Sequence, residues 1–526
     1  MNDIILTTLN AKYIHASFGL RYLLANLEEL KPRASIIEFE ISDRALEVVE
    51  EILRHNPKIV GFGIYIWNTV ETLKVLKILK RVAPEVIIVL GGPEISYETE
   101  EQEIAKFADY IISGDGDLAF YRLCKAIFNN DAPTQKITKA DPTDPENLKL
   151  PYSLYSDDDV KNRIIYVEAS RGCPFTCEFC LSSLEIPVRS FPLDKLLPEF
   201  KSLLDRGVEH FKFVDRTFNL NIKTSLEILN FFLENYRPGL FIHFEMVPDR
   251  LPNQLREIIA KFPEGSLQFE VGIQSFNTEV SKLISRRQDY NKLGDNIRYL
   301  RENTGVHIHA DLIVGLPGET VESFALGFDR LISLDPQEIQ VGILKRLRGT
   351  PIVRHDAEWQ MVYSQDPPYE ILKNRSIDFK TLQQMRRFAR YWDLVANSGN
   401  FTTTVKLLWL NEQSPFNEFL LFSEWLYHEI GERHGIALSK LTTYLWNYLI
   451  GPKNLPSSIV AESLHHDYDR CGRKDLPDEI SKIARSIVKS NLKIVKTTTD
   501  NPEINRTPLK RQSRHLGGPA LKESTK

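Results

Sequence analysis

Three of the five cysteines in this 526-residue chain fall in one short stretch, Arg171-Gly172-Cys173-Pro174-Phe175-Thr176-Cys177-Glu178-Phe179-Cys180. Their spacing is Cys-x3-Cys-x2-Cys. Three thiolates can hold three irons of a [4Fe–4S] cube, whereas a purely structural cluster usually takes four cysteines. The fourth iron is then open to another ligand, much as a catalytic zinc keeps one position open. Two plainer readings stand beside this one: a zinc site, or three unrelated thiols. Zinc wants a fourth ligand nearby, and the next candidates in sequence, Glu178 and Glu185, are poor substitutes for Cys or His.

Such a loop must be positioned by regular elements, and the sequence around it alternates strands with helices. Apolar runs at 164–168, 210–215, 241–246, 267–273, 307–314 and 338–344 read as strands. Helix-period segments such as 193–204, 225–235 and 321–334 lie between them. The cysteine loop follows directly on the first strand. Residues 1–135 show the same alternation, with strands at 4–9, 35–40, 59–65, 86–90 and 109–113 and helices such as 43–55 and 68–82. Continuous Val/Ile runs joined by helices imply a parallel sheet covered on both faces. The expected fold here is a flavodoxin-like, doubly wound α/β domain with its ligand crevice at the carboxyl ends of the strands. Those ends carry 10–19, Gly61-Phe62-Gly63, Gly91-Gly92-Pro93-Glu94 and Gly114-Asp115-Gly116, none of which completes a dinucleotide fingerprint.

The stretch 136–159 is rich in Pro, Asp and Thr and reads as a surface linker. From 356 to about 500 the periodicity turns helical, at 379–396, 415–432 and 439–449, predicting a mainly α-helical C-terminal domain whose many aromatics are chiefly packing. Cys471 and His465-His466 are expected at the surface, and 501–526 reads as a partly disordered tail.

The cysteine spacing and its flanks resemble the radical S-adenosylmethionine (SAM) superfamily. The N-terminal pattern ahead of it resembles the cobalamin-binding domain of that superfamily's B12-dependent class. Together the resemblances cover roughly residues 1–355. They imply a partial (β/α)6 barrel over 160–355 with chemistry at the strand carboxyl ends. The open iron would chelate SAM, and an electron from the cluster would cleave the sulfonium to a 5′-deoxyadenosyl radical. Phe213-Val214-Asp215-Arg216-Thr217 sits where the family holds the methionine amino group, which makes Asp215 the candidate. Phe269-Glu270-Val271-Gly272-Ile273-Gln274-Ser275 is similar to the fourth-strand element, and Glu270 and Gln274, with Ser275, are candidates to hold the ribose. Asp311-Leu312-Ile313-Val314-Gly315-Leu316-Pro317-Gly318-Glu319-Thr320 is similar to the fifth-strand element, where Gly315 would let the backbone close on adenine. Phe179 matches the residue whose backbone touches adenine. Gly91-Gly92 matches the glycine pair beneath the corrin tail, where only Gly permits close approach. His15 is a candidate cobalt ligand, but the mutase motif's Asp and Gly would fall on Tyr13 and Phe18, and its Ser-x-Leu element is missing.

Composition narrows the class further. Apolar residues make up 42% of the chain, and the net charge of −5 argues against a globally basic nucleic-acid binder. From residue 481 onward Lys and Arg outnumber Asp and Glu, so a local phosphate contact remains open. The apolar runs are too short to span a bilayer, no signal peptide is expected, and five cysteines make no disulfide framework. A reducing cytoplasm is the expected setting. The leading reading is a radical SAM enzyme carrying a [4Fe–4S] cluster, SAM and cobalamin. It would methylate or rearrange an unreactive carbon of a small molecule, with electrons from a flavodoxin or ferredoxin. One alternative is methylthiotransferase-like modification of tRNA or protein, a class with a second cluster on three N-terminal cysteines. Residues 1–160 hold only Cys124. Another is a non-catalytic cobalamin or redox sensor, which would need no SAM pocket.

Overall fold

The computed structural model describes residues 3–491 and 511–515. Two six-stranded sheets, both parallel throughout, dominate it. The first contains β1 (Ile4–Asn10), β2 (Ala34–Glu40), β3 (Ile59–Gly63), β4 (Ile87–Gly91), β5 (Tyr110–Gly114) and β6 (Ile137–Ala140), in the order β2-β1-β3-β4-β5-β6. β1 is buried along its whole length, as a central strand covered on both faces must be. α2 (Ala45–Arg54) and α3 (Thr69–Val82) pack on one face through Val48, Ile52, Val75 and Leu79. α1 (Phe18–Ala25) and α4 (Gly116–Phe128) cover the other through Leu20, Phe120 and Ile127. The strand order reverses between β1 and β3, so the crevice opens at their carboxyl ends. Asn68, fully buried, fixes that edge. Its amide donates to Thr8 Oγ1, Leu9 O and Gly63 O, and its carbonyl accepts from the Tyr65 N–H.

The sheet runs past the boundary expected at residue 135. β6 lies inside the stretch read as linker, and as an edge strand paired only with β5 it exposes Thr138 and Lys139, so it shows no apolar run. α5 (Asp157–Asn162), closed by a capping box between Ser156 and Asp159, follows.

The second sheet contains β7 (Ile165–Val167), β10 (His210–Phe213), β11 (Phe241–Met246), β12 (Leu267–Gln274), β13 (His307–Val314) and β14 (Glu338–Ile343). Its order, β14-β13-β12-β11-β10-β7, runs in one direction, as in an open barrel. The helices α6 (Leu193–Asp205), α7 (Ile222–Glu234), α8 (Asn253–Ile259), α9 (Thr278–Leu283), α10 (Tyr290–Asn303) and α11 (Val321–Ile332) make the crossovers. After β7 a short antiparallel pair, β8 (Ser170–Arg171) with β9 (Arg189–Ser190), staples the neck of the cysteine loop.

A small hairpin, β15 (Val362–Tyr363) with β16 (Ile371–Lys373), leads into the helical region, α12 (Phe379–Val395), α13 (Pro415–Ile430), α14 (Leu438–Ile450), α15 (Ser457–Arg470) and α16 (Asp478–Asn491). This region shares one apolar core with the barrel. Phe328 of α11 meets Phe388, Trp392 and Phe416 edge-on at ring distances of 5.2, 4.8 and 5.8 Å. Cys471 is not at the surface as its polar neighbours suggested: it is buried, with its thiol 3.7 Å from Gly399 O. Within the tail, residues 511–515 form a turn seated on Gly399, where a Cβ would lie 2.8 Å from that of Arg514. The rest of 501–526 lies outside the described residues.

Candidate active site

The cysteine loop is anchored by contacts on both sides of its thiols. Cys173 N–H donates to Glu185 O at 3.0 Å, and Gly172, at φ +86°, sits so close to that carbonyl that a Cβ would lie 2.4 Å from it. Glu178 is buried inside the loop and faces away from the thiols. Its carboxylate accepts from Ser285 Oγ at 2.5 Å and from Arg354, and lies 2.8 Å from His355 Nε2. Glu185 turns toward a second cavity. Neither carboxylate completes a zinc site, and no three His, Cys, Asp or Glu side chains among the described residues are grouped as ligands of one ion. The three thiols instead line one cavity together, which suits ligands addressed to three different irons.

That cavity, about 160 Å³, lies at the carboxyl ends of β10 to β13 and is also lined by Phe179, Arg216, Glu245, Glu270, Gln274, Arg286 and Asp311. Strand alternation puts polar residues into it, since in β11 and β12 every second side chain faces the lumen. Glu270 Oε2 lies 3.1 Å from His243 Nε2. Burial works to raise the Glu270 carboxyl, but the hydrogen bond from His243 and the charges of His243, His309 and Lys212 bring it below its ordinary value. Burial works to lower His309, yet Asp311, Glu338 and Glu270 carry it up to about 9. Arg286 donates to Cys177 Sγ at 3.3 Å and to Gly272 O. Buried polar atoms without a hydrogen-bond partner gather here: Gln274 Oε1, Arg286 Nε and Gln288 Oε1. Buried polar groups are normally paired, so these mark a place built for a polar ligand. Gln274 adds strain, holding φ +72° at a bulge in β12, a conformation costly for a residue with a Cβ.

A second cavity, about 540 Å³, opens between the first sheet and the cysteine loop. Six glycines stand on its rim, Gly61, Gly63, Gly91, Gly92, Gly114 and Gly116, beside aromatic and apolar side chains such as Tyr65, Trp67 and Ile112. Gly92 has φ +107°, and a Cβ there would lie 2.5 Å from Ile64 O. This is a cradle for a large flat group approaching main chain. The opposite wall includes Leu181, Ser182 and Glu185 of the cysteine loop. Two ion pairs hold that loop to the rim: Arg171 to Asp117 at 2.8 Å and Arg189 to Asp115 at 2.7 Å. Among the described lining residues, Arg216 alone borders both cavities, donating to Ser182 Oγ at 3.1 Å and Glu245 Oε1 at 2.8 Å.

A third cavity, about 600 Å³, adjoins the first through Phe179, Gln274 and Asp311. The helical region walls it with Ala389, Arg390 and Asp393, and the tail contributes Arg511. Arg511 binds Glu338 and Asp393, each at 2.7 Å.

The structure gathers Cys173, Cys177, Cys180, Phe179, Glu270 and Gln274 around one cavity, and Gly91 with Gly92 around the other. Four candidates stand apart. Asp215 points into the neck of the loop, accepting from Ala169 N–H at 2.9 Å and Ser170 Oγ at 2.6 Å, and burial pushes it up to about 7. Ser275 Oγ donates to Glu319 at 2.6 Å. Gly315, at φ +93°, makes room for Ile371, whose Cγ2 would be 2.7 Å from an added Cβ. His15 lies against the barrel edge with Nδ1 2.7 Å from Tyr166 Oη, away from the glycine rim. Sequence reasoning missed Arg216, Glu245, His243 and Arg286. The alternation Phe241-Ile242-His243-Phe244-Glu245-Met246 carried the signal for two of them. Arg286 sits in a loop with no strand end to flag it.

A glycine-rimmed doubly wound domain facing an open parallel barrel whose cysteine loop lies between them defines a cobalamin-dependent radical SAM architecture. Family models agree: B12 binding domain over residues 4–124, Radical SAM superfamily over 167–328, and one described as Protein of unknown function (DUF4080) over 357–516. The chain thus carries a B12 binding domain followed by a radical SAM domain. It is an enzyme whose cofactors are a [4Fe–4S] cluster, SAM and cobalamin. Among curated relatives, it is 26% identical over 359 residues to "Uncharacterized methyltransferase PH0819" of Pyrococcus horikoshii, covering 63% of this chain and 76% of that protein. It is 25% identical to "Cobalamin-dependent radical SAM methyltransferase TokK" of Streptomyces tokunonensis, covering 78% and 65%. It is also 25% identical to a tRNA-2-methylthio-N(6)-dimethylallyladenosine synthase of Acinetobacter baumannii, covering 52% and 59%. The chain thus spans less than two thirds of the last two. Two solved structures share the fold. One is OxsB with aqua-cobalamin and SAM bound, with TM-score 0.60, 11% identity and coverage of 92% and 84%. The other is TsrM from Kitasatospora setae with cobalamin and a [4Fe-4S] cluster bound, with TM-score 0.56, 17% identity and coverage of 70% and 82%.

Proposed function

We propose that this enzyme methylates an unreactive carbon of a small molecule held in the third cavity. The observation that carries this is the cysteine loop itself, whose thiols line the first cavity while its back forms a wall of the glycine-rimmed one. Bound there, the cluster and SAM would supply a radical and the corrin a methyl group; the protein supplies positioning. Cys173, Cys177 and Cys180 would hold three irons. Glu270, ionised, and Gln274 would accept hydrogen bonds from ribose hydroxyls, while the guanidinium of Arg286 matches a carboxylate. Asp215 would act one step back, fixing Ser170 at the loop's neck. Gly91 and Gly92 would let the corrin's tail lie on main chain. Electrons would come from a flavodoxin- or ferredoxin-type donor in a reducing cytoplasm.

The methylthiotransferase reading finds little support at the N-terminus. Cys124 is fully buried in α4, and burial pushes its thiol up to about 12, which leaves it unsuited to ligate a second cluster. The test is anaerobic reconstitution with reductant, SAM and hydroxocobalamin, followed by chromatography for 5′-deoxyadenosine and comparison of metabolites with a deletion strain. A corrin-loaded protein that releases 5′-deoxyadenosine, and a methylated small molecule missing from the deletion strain, are expected. An intact cluster that never yields 5′-deoxyadenosine would overturn the radical reading in favour of a sensor. Loss of a methylthio mark on tRNA would overturn the small-molecule reading.

A further inference from the structure

Away from both cofactor cavities and on the far side of Asn397, a cavity of about 220 Å³ lies between the outer face of the barrel and the helical region. Arg301, Lys406 and Arg470 line it, with Trp392 and Trp409 stacked beside it at a ring distance of 6.2 Å. Three of its lining residues carry buried polar atoms with no partner: Trp392 Nε1, Arg301 Nε and Arg470 Nε. All three are N–H donors. Trp392 is 3% exposed and the Arg470 side chain 8%, so bulk water does not serve them. A buried unmet donor is costly, and three around one cavity point to an acceptor that belongs there.

The charge balance names the acceptor's sign. Asp335 is the one carboxylate among the lining residues, shared by Arg301 at 2.8 Å and Lys406 at 3.5 Å, and it is largely exposed. The acid nearest Arg470 is Asp467, 3.6 Å away, and its oxygens are already taken by Thr403 N–H and by the N–H and hydroxyl of Thr404. The cavity is therefore cationic, rich in donors and walled by indoles. We propose that it binds a small organic or inorganic anion, a phosphate or carboxylate, at a site separate from the radical chemistry. Its position gives that ligand reach. Asn397 borders this cavity and the substrate cavity alike, and its carbonyl accepts from Arg511 at 2.9 Å and lies 3.0 Å from His515 Nε2. An anion held here braces the tail segment that places Arg511 beside the substrate.

The test is calorimetric titration of the full-length, cluster-loaded protein with inorganic phosphate and, separately, with malonate, at ionic strength matched by chloride. Saturable one-site binding of at least one is expected, and the preferred arm tells phosphate from carboxylate chemistry. Arg301→Gln should weaken it roughly tenfold, the size of one lost charge-assisted hydrogen bond. Trp392→Phe, which keeps the ring and removes the N–H, should weaken it roughly threefold to tenfold. Both variants should keep the native cluster spectrum and 5′-deoxyadenosine release. Lys406→Gln, on an exposed side chain, guards against a folding defect and should weaken binding as well. Absence of saturable binding for both anions, or equal affinity in all three variants, would overturn the site.

Discussion

The two parallel sheets of this chain end in opposite ways. The first presents glycines at its strand ends, Gly63, Gly91, Gly92 and Gly114, around a cavity of about 540 Å³. The second presents Glu245, Glu270, Gln274 and Asp311 around one of about 160 Å³. Both use the same rule, that ligands meet the carboxyl ends of parallel strands. What differs is the rim: glycines among apolar and aromatic side chains on the first sheet, charged and polar side chains on the second. A broad, flat ring gains from close approach to main chain, whereas a compact molecule with an ammonium, a carboxylate and a sulfonium needs charges. One architecture thus serves two cofactors by changing what stands at its rim.

The sharpest way to break this contrast is to remove what lies between the sheets. Cys177→Ala should lose essentially all cluster iron, seen in iron content and visible absorbance, while corrin binding at the glycine rim persists. Wild-type iron in that variant would sink the cluster assignment. Glu270→Ala should weaken SAM binding roughly ten- to a hundred-fold, the cost of about 1.5–3 kcal/mol for a charged hydrogen bond, and leave corrin affinity alone. Gly92→Ala is the mirror experiment. Its Cβ meets Ile64 O, and its positive φ strains the variant by about 1–3 kcal/mol. Corrin absorbance should fall and SAM affinity hold; the reverse outcome would erase the distinction between the rims.

A smaller effect tests the charged rim through pH. His309 is raised from its ordinary 6.5 to about 9 against a burial that lowers it, because Asp311, Glu338 and Glu270 surround it. A raised histidine stabilises the fold fully below pH 6.5 and loses that contribution as pH climbs through about 9. Melting curves of native protein and His309→Gln should differ most near pH 6 and converge by about pH 10. A constant gap across that range would deny the charge. The smallest expected effect is at the barrel edge, away from the glycine rim: His15→Ala should leave corrin binding unchanged. Abolished binding would make His15 a ligand after all.

Much of this was legible because parallel strands write themselves as apolar runs. Strands 241–246 and 307–314 match β11 and β13 to the residue. The thiols, Glu270, Gln274 and the glycine pair were expected together at strand ends, where ligands bind, and there they line cavities. β6 was not, since an edge strand with half its residues in water needs no apolar pattern. Asp215 was misplaced for a different reason. Sequence marks the end of a strand but not which way its last side chain turns, and here Arg216 faces the cavity while Asp215 turns inward to Ser170. Arg286 and Arg511 were hidden because loops and tails carry no period.

Arg511 has a consequence for how the enzyme is made. It closes one side of the cavity that Phe179 of the cysteine loop also borders, yet it is synthesised more than three hundred residues later. At about 5–20 residues per second, a ribosome needs on the order of 20–60 s to travel that distance. Both sheets are complete in sequence by Ile343, well before Arg511, so the thiols stand for part of that interval beside a wall still missing its last piece. The cavity beside the thiols thus stays open on that side until Arg511 itself has been made.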